Sequence, residues 1–269
     1  IVNYLSLSSV QVVNYILPLI TIPYLVRVLG PEKFGLIAFA QAFIGYFGIL
    51  TDYGFNLSAT RDISVNRGDK EKVAEIFSAV TIIKTALMVL SFLLLCLIVF
   101  SIQRFRSEWL IYFFTFGMVF GGILFPGWVF QGMERMKQMA LLNILARLFF
   151  TLSIFVFIRS EGDYLYVPLL NSLGSIVAGI LSLVIVFYSF RIRFIMPSSM
   201  AIKYQLREGW HIFISTIAIS LYTISNTFIL GLFTNNVIVG YYSAGEKIVR
   251  AVQGLIGPLT QTVYPHISK

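Results

Sequence analysis

Six charged side chains lie inside the apolar stretches of this 269-residue chain: Asp52, Lys84, Arg147, Glu246, Lys247 and Arg250. A charged group at the centre of a membrane-spanning helix costs about 2.5 to 3.5 kcal/mol on the insertion scale unless protein or water satisfies it. Such groups therefore mark sites rather than lipid-facing surface. Their spacing adds to this. Gln41, Gly45, Gly48, Asp52 and Asn56 follow at steps of four, three, four and four, which puts all five on one narrow helical face. Either that stripe lines a hydrated cavity, or its glycines form a packing seam with Asp52 as a hydrogen-bonded cap for a neighbouring helix. A second stripe near the end of the chain joins Ser243, Glu246, Lys247, Arg250, Gly254, Gly257 and Gln261 on one face. Glu246 and Arg250 stand four residues apart and can neutralise each other, which leaves Lys247 with no local partner. Snorkelling would explain these charges near a helix start, but it does not require Gly254, Gly257 and Gln261 to continue the same face.

Other stretches add single groups. Lys84 sits beside Thr81 and Met88, and Arg147 stacks with Asn143 and Thr151 at helical spacing. Glu208, His211, Ser215, Tyr222 and Asn226 share one side of a later stretch. His211 and His266 read as interfacial hydrogen-bonding residues, because neither has metal-ligating neighbours at suitable spacing. Within the membrane the sum is four positive charges (Lys84, Arg147, Lys247, Arg250) against two negative (Asp52, Glu246). A net cationic interior favours an anionic substrate group, and arginine in particular matches phosphate oxygens by paired hydrogen bonds. No glycine-rich phosphate loop, metal-spaced histidine cluster or nucleophile with an adjacent base is present. No cofactor is expected.

The elements that must position these groups follow from composition. With 58% hydrophobic and 12% charged residues and a mean hydropathy of +0.85, the chain is excluded from the class of soluble globular domains. The single cysteine, Cys96, lies in a leucine-rich run and reads as packing. An all-α, polytopic membrane helical bundle of about eight spans is expected. The spans run from Tyr4 to Val26, Phe34 to Leu57, Ile76 to Ile102, Trp109 to Phe130, Leu141 to Ile158, Leu165 to Phe190, Trp210 to Phe233 and Val237 to Ile267. Prolines 18, 23, 126, 168, 258 and 265 lie within or near span ends, where kinks are expected.

A net charge of +8 would suggest nucleic acid in a soluble protein, but here the basic residues sit mainly in short loops. Eleven lysines and arginines fall in the loops after even-numbered spans and at the C-terminal end, and five in the opposite loops. That bias places the even loops and the N-terminus in the cytoplasm, with no nucleic-acid partner. The basic stretch 191–209, interrupted by Pro197, Ser198 and Ser199, is the longest connection. It divides a six-helix lobe, residues 1–190, from the first two helices of a second lobe, residues 210–269. A first residue other than methionine and an unfinished second lobe suggest an excised fragment, and no signal peptide is expected.

Three segments carry a resemblance: Pro23-Tyr24-Leu25-Val26-Arg27-Val28-Leu29-Gly30-Pro31-Glu32-Lys33-Phe34-Gly35, Asp52-Tyr53-Gly54-Phe55 followed by Ala59-Thr60-Arg61, and Gln131-Gly132-Met133-Glu134-Arg135-Met136. Together they resemble the bacterial Wzx-type flippases of lipid-linked oligosaccharides, within the superfamily of multidrug and oligosaccharidyl-lipid exporters. The resemblance implies two six-helix lobes around a cationic cavity in the bacterial inner membrane. It implies as substrate an undecaprenyl pyrophosphate carrying an O-antigen-type oligosaccharide, with membrane lipids and other polysaccharide-assembly proteins as partners. Arg147, Lys247, Arg250 and Lys84 would then hold the pyrophosphate. Asp52, Glu246, Gln41, Asn56 and Asn226 would supply the coupling group and the polar cavity wall. A multidrug exporter of the same architecture and a membrane enzyme of polysaccharide assembly are the alternatives. The first would favour acidic and aromatic stripes, the second a large extramembrane loop.

Overall fold

In a computed structural model, the chain is a bundle of helices with no strand among the described residues. The backbone is described for residues 2–267, and side chains for residue 13 and for 15–254 except Tyr222. Gly257, Gln261 and His266, and prolines 258 and 265, have side chains outside the described residues.

The first element, α1 (Val2–Asp52), contains 51 residues. At about 1.5 Å per residue it is more than twice the length that a bilayer core requires. Gly30 divides it, at φ 72° and ψ 166°, a conformation that only glycine adopts without strain. The following Pro31 suits the first turn of a new helix. Contacts with the last helix, α11 (Asn236–Ile267), show that the chain reverses there. Gly35 lies against Asn236, and Gln41 meets Lys247, so the second arm runs parallel to α11. Pro31 lies against Gly240 and Tyr15 against Gly254, so the first arm runs the opposite way. The first two expected spans are therefore the two arms of one hairpin. Pro18 and Pro23 leave the first arm helical.

The remaining elements are α2 (Phe55–Val65), α3 (Lys70–Ser101), α4 (Gln103–Arg106), α5 (Trp109–Leu124), α6 (Gly127–Gly132), α7 (Met136–Phe157), α8 (Tyr166–Tyr188), α9 (Ser199–Thr223) and α10 (Ser225–Phe233). A short 3-10 turn, Glu161–Leu165, precedes α8. Pro126 separates α5 from α6, as expected of a proline at that point. The side chain of Asp69 accepts from two backbone N–H groups to start α3, and that of Ser198 from one to start α9. Residues 199–209 are thus helical, and the irregular connection after α8 is shorter than the basic stretch 191–209.

Five helical segments are long and apolar enough to cross a membrane, and a sixth qualifies if α9 and α10, bent by 50°, are one span. This count takes both arms of the α1 hairpin as one segment and leaves out α11, which carries Glu246, Lys247 and Arg250 within two turns. Large apolar side chains such as Leu93, Leu97, Leu141, Leu152 and Val156 point outward, as a lipid-facing belt requires. Inside, one cluster surrounds Leu29, Phe39 and Phe43, and a second surrounds Phe55, Phe77 and Trp128.

Loops alternate between the two ends of the bundle. At one end, Arg67 pairs with Glu134 at 3.1 Å and Glu75 accepts from Ser198 at 3.0 Å, which joins the loops after the second, fourth and sixth spans. At the other end, Glu108 meets Lys33 at 3.8 Å and Tyr164 at 2.8 Å, joining the loops after the first, third and fifth. The strongly basic loops therefore share one face.

Candidate functional site

Asp52 is the last residue of α1, and the chain then turns through Tyr53 (φ 49°) and Gly54 (φ 80°) into α2. A carboxylate at a helix C-terminus is disfavoured by the helix dipole. Lys84 offsets it from α3, 3.2 Å away and only 5% exposed. Both residues line a cavity of about 930 Å³ between the second arm of α1 and α2, α3, α5, α6, α7 and α8. Gln41, Gly45, Gly48 and Asn56 also line it, so all five members of the first stripe and one cationic partner, Lys84, share one space.

The stripe's glycines are the floor of that cavity and not a packing seam. A side chain at Gly48, or at Gly122 on the opposite wall, would meet nothing within 4 Å, and at Gly45 only the end of Ile224 at 3.8 Å. The space exists because these positions lack side chains.

Arg147, from α7, lines the same cavity and has no hydrogen-bond or ion-pair partner among the described residues. Its neighbour one turn earlier, Asn143, donates to the carbonyl of Met139 at 3.0 Å. The cavity therefore holds one compensated cation, Lys84, and one uncompensated one, Arg147. Arg147 is exposed, and a guanidinium without a counter-ion on a cavity wall is available to an anion, with a planar fork that matches phosphate oxygens by paired hydrogen bonds.

The remaining expected groups are split. Lys247 donates to Gln41 at 3.2 Å and lies over the Phe34 ring at 5.5 Å, so it reaches the cavity wall through Gln41 and does not line the space. Arg250 donates to Glu246 at 2.7 Å and to the Thr223 carbonyl at 2.5 Å. Thr223 ends α9, where carbonyls lose their helical partners, so Arg250 ties down the bend before α10. Glu246 also accepts from Thr227 at 3.2 Å. Asn226 is exposed on α10 and His211 on α9, both away from the cavity. Two cations thus face one space, a third touches its rim, and the fourth holds a helix junction.

Two cavity groups carried no expectation of their own: Gln131 on α6 and Asn171 on α8. Asn171 is an amide within an otherwise apolar stretch, and Gln131 opens the third of the segments that carry the resemblance, which are the signals that mark them in the sequence.

The polysaccharide biosynthesis protein family matches residues 2–269. The chain is 38% identical over 266 residues to a protein of Escherichia coli strain K12 provisionally named an O-antigen transporter. That alignment covers 99% of this chain and 64% of the relative. It is 30% identical over 276 residues to a Shigella dysenteriae protein with the same provisional name, covering 99% of this chain and 67% of the relative. The chain thus spans about two thirds of the length of these curated relatives. No solved structure matches it.

Proposed function

The chain belongs to the polysaccharide biosynthesis protein family, and we propose that the protein moves a lipid-linked oligosaccharide across the bacterial inner membrane. The substrate in this reading is an undecaprenyl pyrophosphate carrying an O-antigen-type oligosaccharide, taken from the cytoplasmic to the periplasmic leaflet. The observation that carries it is Arg147, unpartnered on the wall of a cavity of about 930 Å³. Pyrophosphate supplies what that guanidinium lacks, and Lys84 and Lys247 stand within the same region to share the charge. The sugar occupies the wet cavity while the lipid tail stays in the bilayer. The names of the two relatives support a transporter and not an enzyme. A cationic cavity disfavours a cationic drug as cargo.

In this reading residues 1–190 form one lobe, residues 210–269 open a second, and the lobes rock to expose the cavity to each side in turn. The N-terminus and the basic loops face the cytoplasm. On that face Arg61 of α2 bonds Glu208 of α9 at 2.6 Å, tying the first lobe to the connection that leads into the second. Cysteines at both positions, bridged by a short bifunctional maleimide in the full-length protein, are expected to stop flipping in proteoliposomes, with activity kept when the linker is cleaved. Undiminished flipping with the bridge in place removes this contact from the gating cycle.

Asp52 is the proposed coupling site for a proton or cation, because it stands in the cavity beside Lys84 at 3.2 Å. Asp52→Asn is expected to keep substrate binding but lose the dependence of flipping on an imposed proton gradient. Unchanged gradient dependence in that variant ends the role.

A further inference from the structure

Two amides on the cavity wall are bonded to nothing stronger than sulfur. Gln131 Nε2 points at Met139 Sδ at 3.9 Å, and Asn171 Nδ2 at Met118 Sδ at 3.4 Å. A thioether is a weak acceptor, and neither side-chain carbonyl has a partner among the described residues. The other amides of the same wall differ. Asn143 already donates to a backbone carbonyl, Gln41 accepts from Lys247, and Asn56 is exposed at the start of α2. Exchanging N–H···S for N–H···O gains a hydrogen bond for Gln131 and Asn171. For Asn143 it would only trade one good bond for another.

The placement of these amides fits a ligand that is charged at one end and hydroxylated beyond it. α7, which carries Arg147, packs against both α6 and α8, so the amides flank the helix bearing the unpaired guanidinium. An amide both donates and accepts, as a hydroxyl does, and being uncharged it reads position without attracting the anion. Met118 and Met139 line the same cavity, and their flexible thioethers can yield the amides to an incoming group.

We propose that Gln131 and Asn171 form a sugar-reading subsite. They bond hydroxyls of the saccharide next to the pyrophosphate, and so select which glycosylated lipid is carried. This rests on the reading of the cavity as a lipid-linked oligosaccharide site. A site built to hydrogen-bond a hydroxyl discriminates strongly, because its polar groups are left unpaired by a ligand that lacks one.

The test is binding of two probes to the full-length protein: bare undecaprenyl pyrophosphate and the same lipid carrying one N-acetylglucosamine. The wild type is expected to bind the glycosylated lipid more tightly, by about tenfold or more. Gln131→Met and Asn171→Leu, which keep apolar bulk but remove the amide, are expected to abolish that advantage and leave binding of the bare lipid unchanged. Thermal midpoints equal to wild type show that the variants are folded. The proposal is overturned if the variants weaken both probes alike, or if the advantage of the sugar persists. A wild type that binds neither probe would instead overturn the flippase reading beneath it.

Discussion

Replacing Arg147 by glutamine in the full-length protein is expected to reduce flipping of undecaprenyl-pyrophosphate-linked oligosaccharide on the order of a hundredfold, with no loss of thermal stability. Both halves of that expectation come from one fact: the guanidinium lines the cavity with no partner among the described residues. Because no protein group depends on it, removing the charge leaves nothing behind unsatisfied. The substrate loses its charge-assisted contact, and hydrogen bonds to charged groups contribute about 1.5 to 3 kcal/mol. At about 1.4 kcal/mol per factor of ten, a loss toward the upper end of that range gives the stated effect. Arg147→Lys keeps the charge but not the planar fork, and should fall between wild type and Arg147→Gln. The same change at Arg250 should do the reverse. That residue bonds Glu246 and the end of α9, so its loss acts on stability before it acts on substrate. Flipping by Arg147→Gln at the wild-type rate would remove the anion site from the mechanism.

Gly35→Ala and Gly240→Ala are expected each to destabilise the protein by about 3 kcal/mol, at the upper end of overpacking costs, seen as a fall of several degrees in the thermal midpoint. A Cβ at Gly35 would stand 1.8 Å from the Asn236 carbonyl oxygen, and one at Gly240 would stand 2.0 Å from that of Pro31. Carbon and oxygen approach to roughly 3.3 Å at best. The obstructing atoms are backbone, so no rotamer change relieves them. The contact is reciprocal: each glycine meets the residue four positions before the other, which brings the second arm of α1 and α11 to backbone contact, as small residues do in membrane bundles. Gly48→Ala and Gly122→Ala are the controls. Nothing lies within 4 Å of either added methyl, and alanine is the better helix former by about 1 kcal/mol. Equal midpoints for Gly35→Ala and Gly48→Ala would show that the two helices are not held this closely.

Much of the fold is legible in the sequence because the signals are local. Runs of apolar residues give the spans, Gly30-Pro31 gives a break, and the alternation of basic and sparsely charged loops assigns loops to two ends. The polar stripe from Gln41 to Asn56 is legible for the same reason, since a period of 3.6 residues needs only neighbouring positions. The spacing could not decide whether its glycines are a seam or open space. The two readings predict the same residues, and only the distance to a neighbouring helix separates them. Asn171 is visible as an amide in apolar surroundings and Gln131 as the first residue of a quoted segment, but their weak sulfur partners lie on other helices.

The sequence by itself determined that this chain is a helical membrane protein with cationic groups at depth, because hydropathy and charge are sums over residues and do not depend on where those residues meet. The Glu246–Arg250 pair is legible from its i,i+4 spacing, but only the tertiary structure decided the pairing across helices. Lys84 is answered by a carboxylate 32 positions away, Lys247 by an amide 206 positions away, and Arg250 by the last carbonyl of α9 as well as by Glu246, while Arg147 has no partner among the described residues. Which cation remains free among the described residues is a property of distances across helices, which the spacing along one helix does not encode.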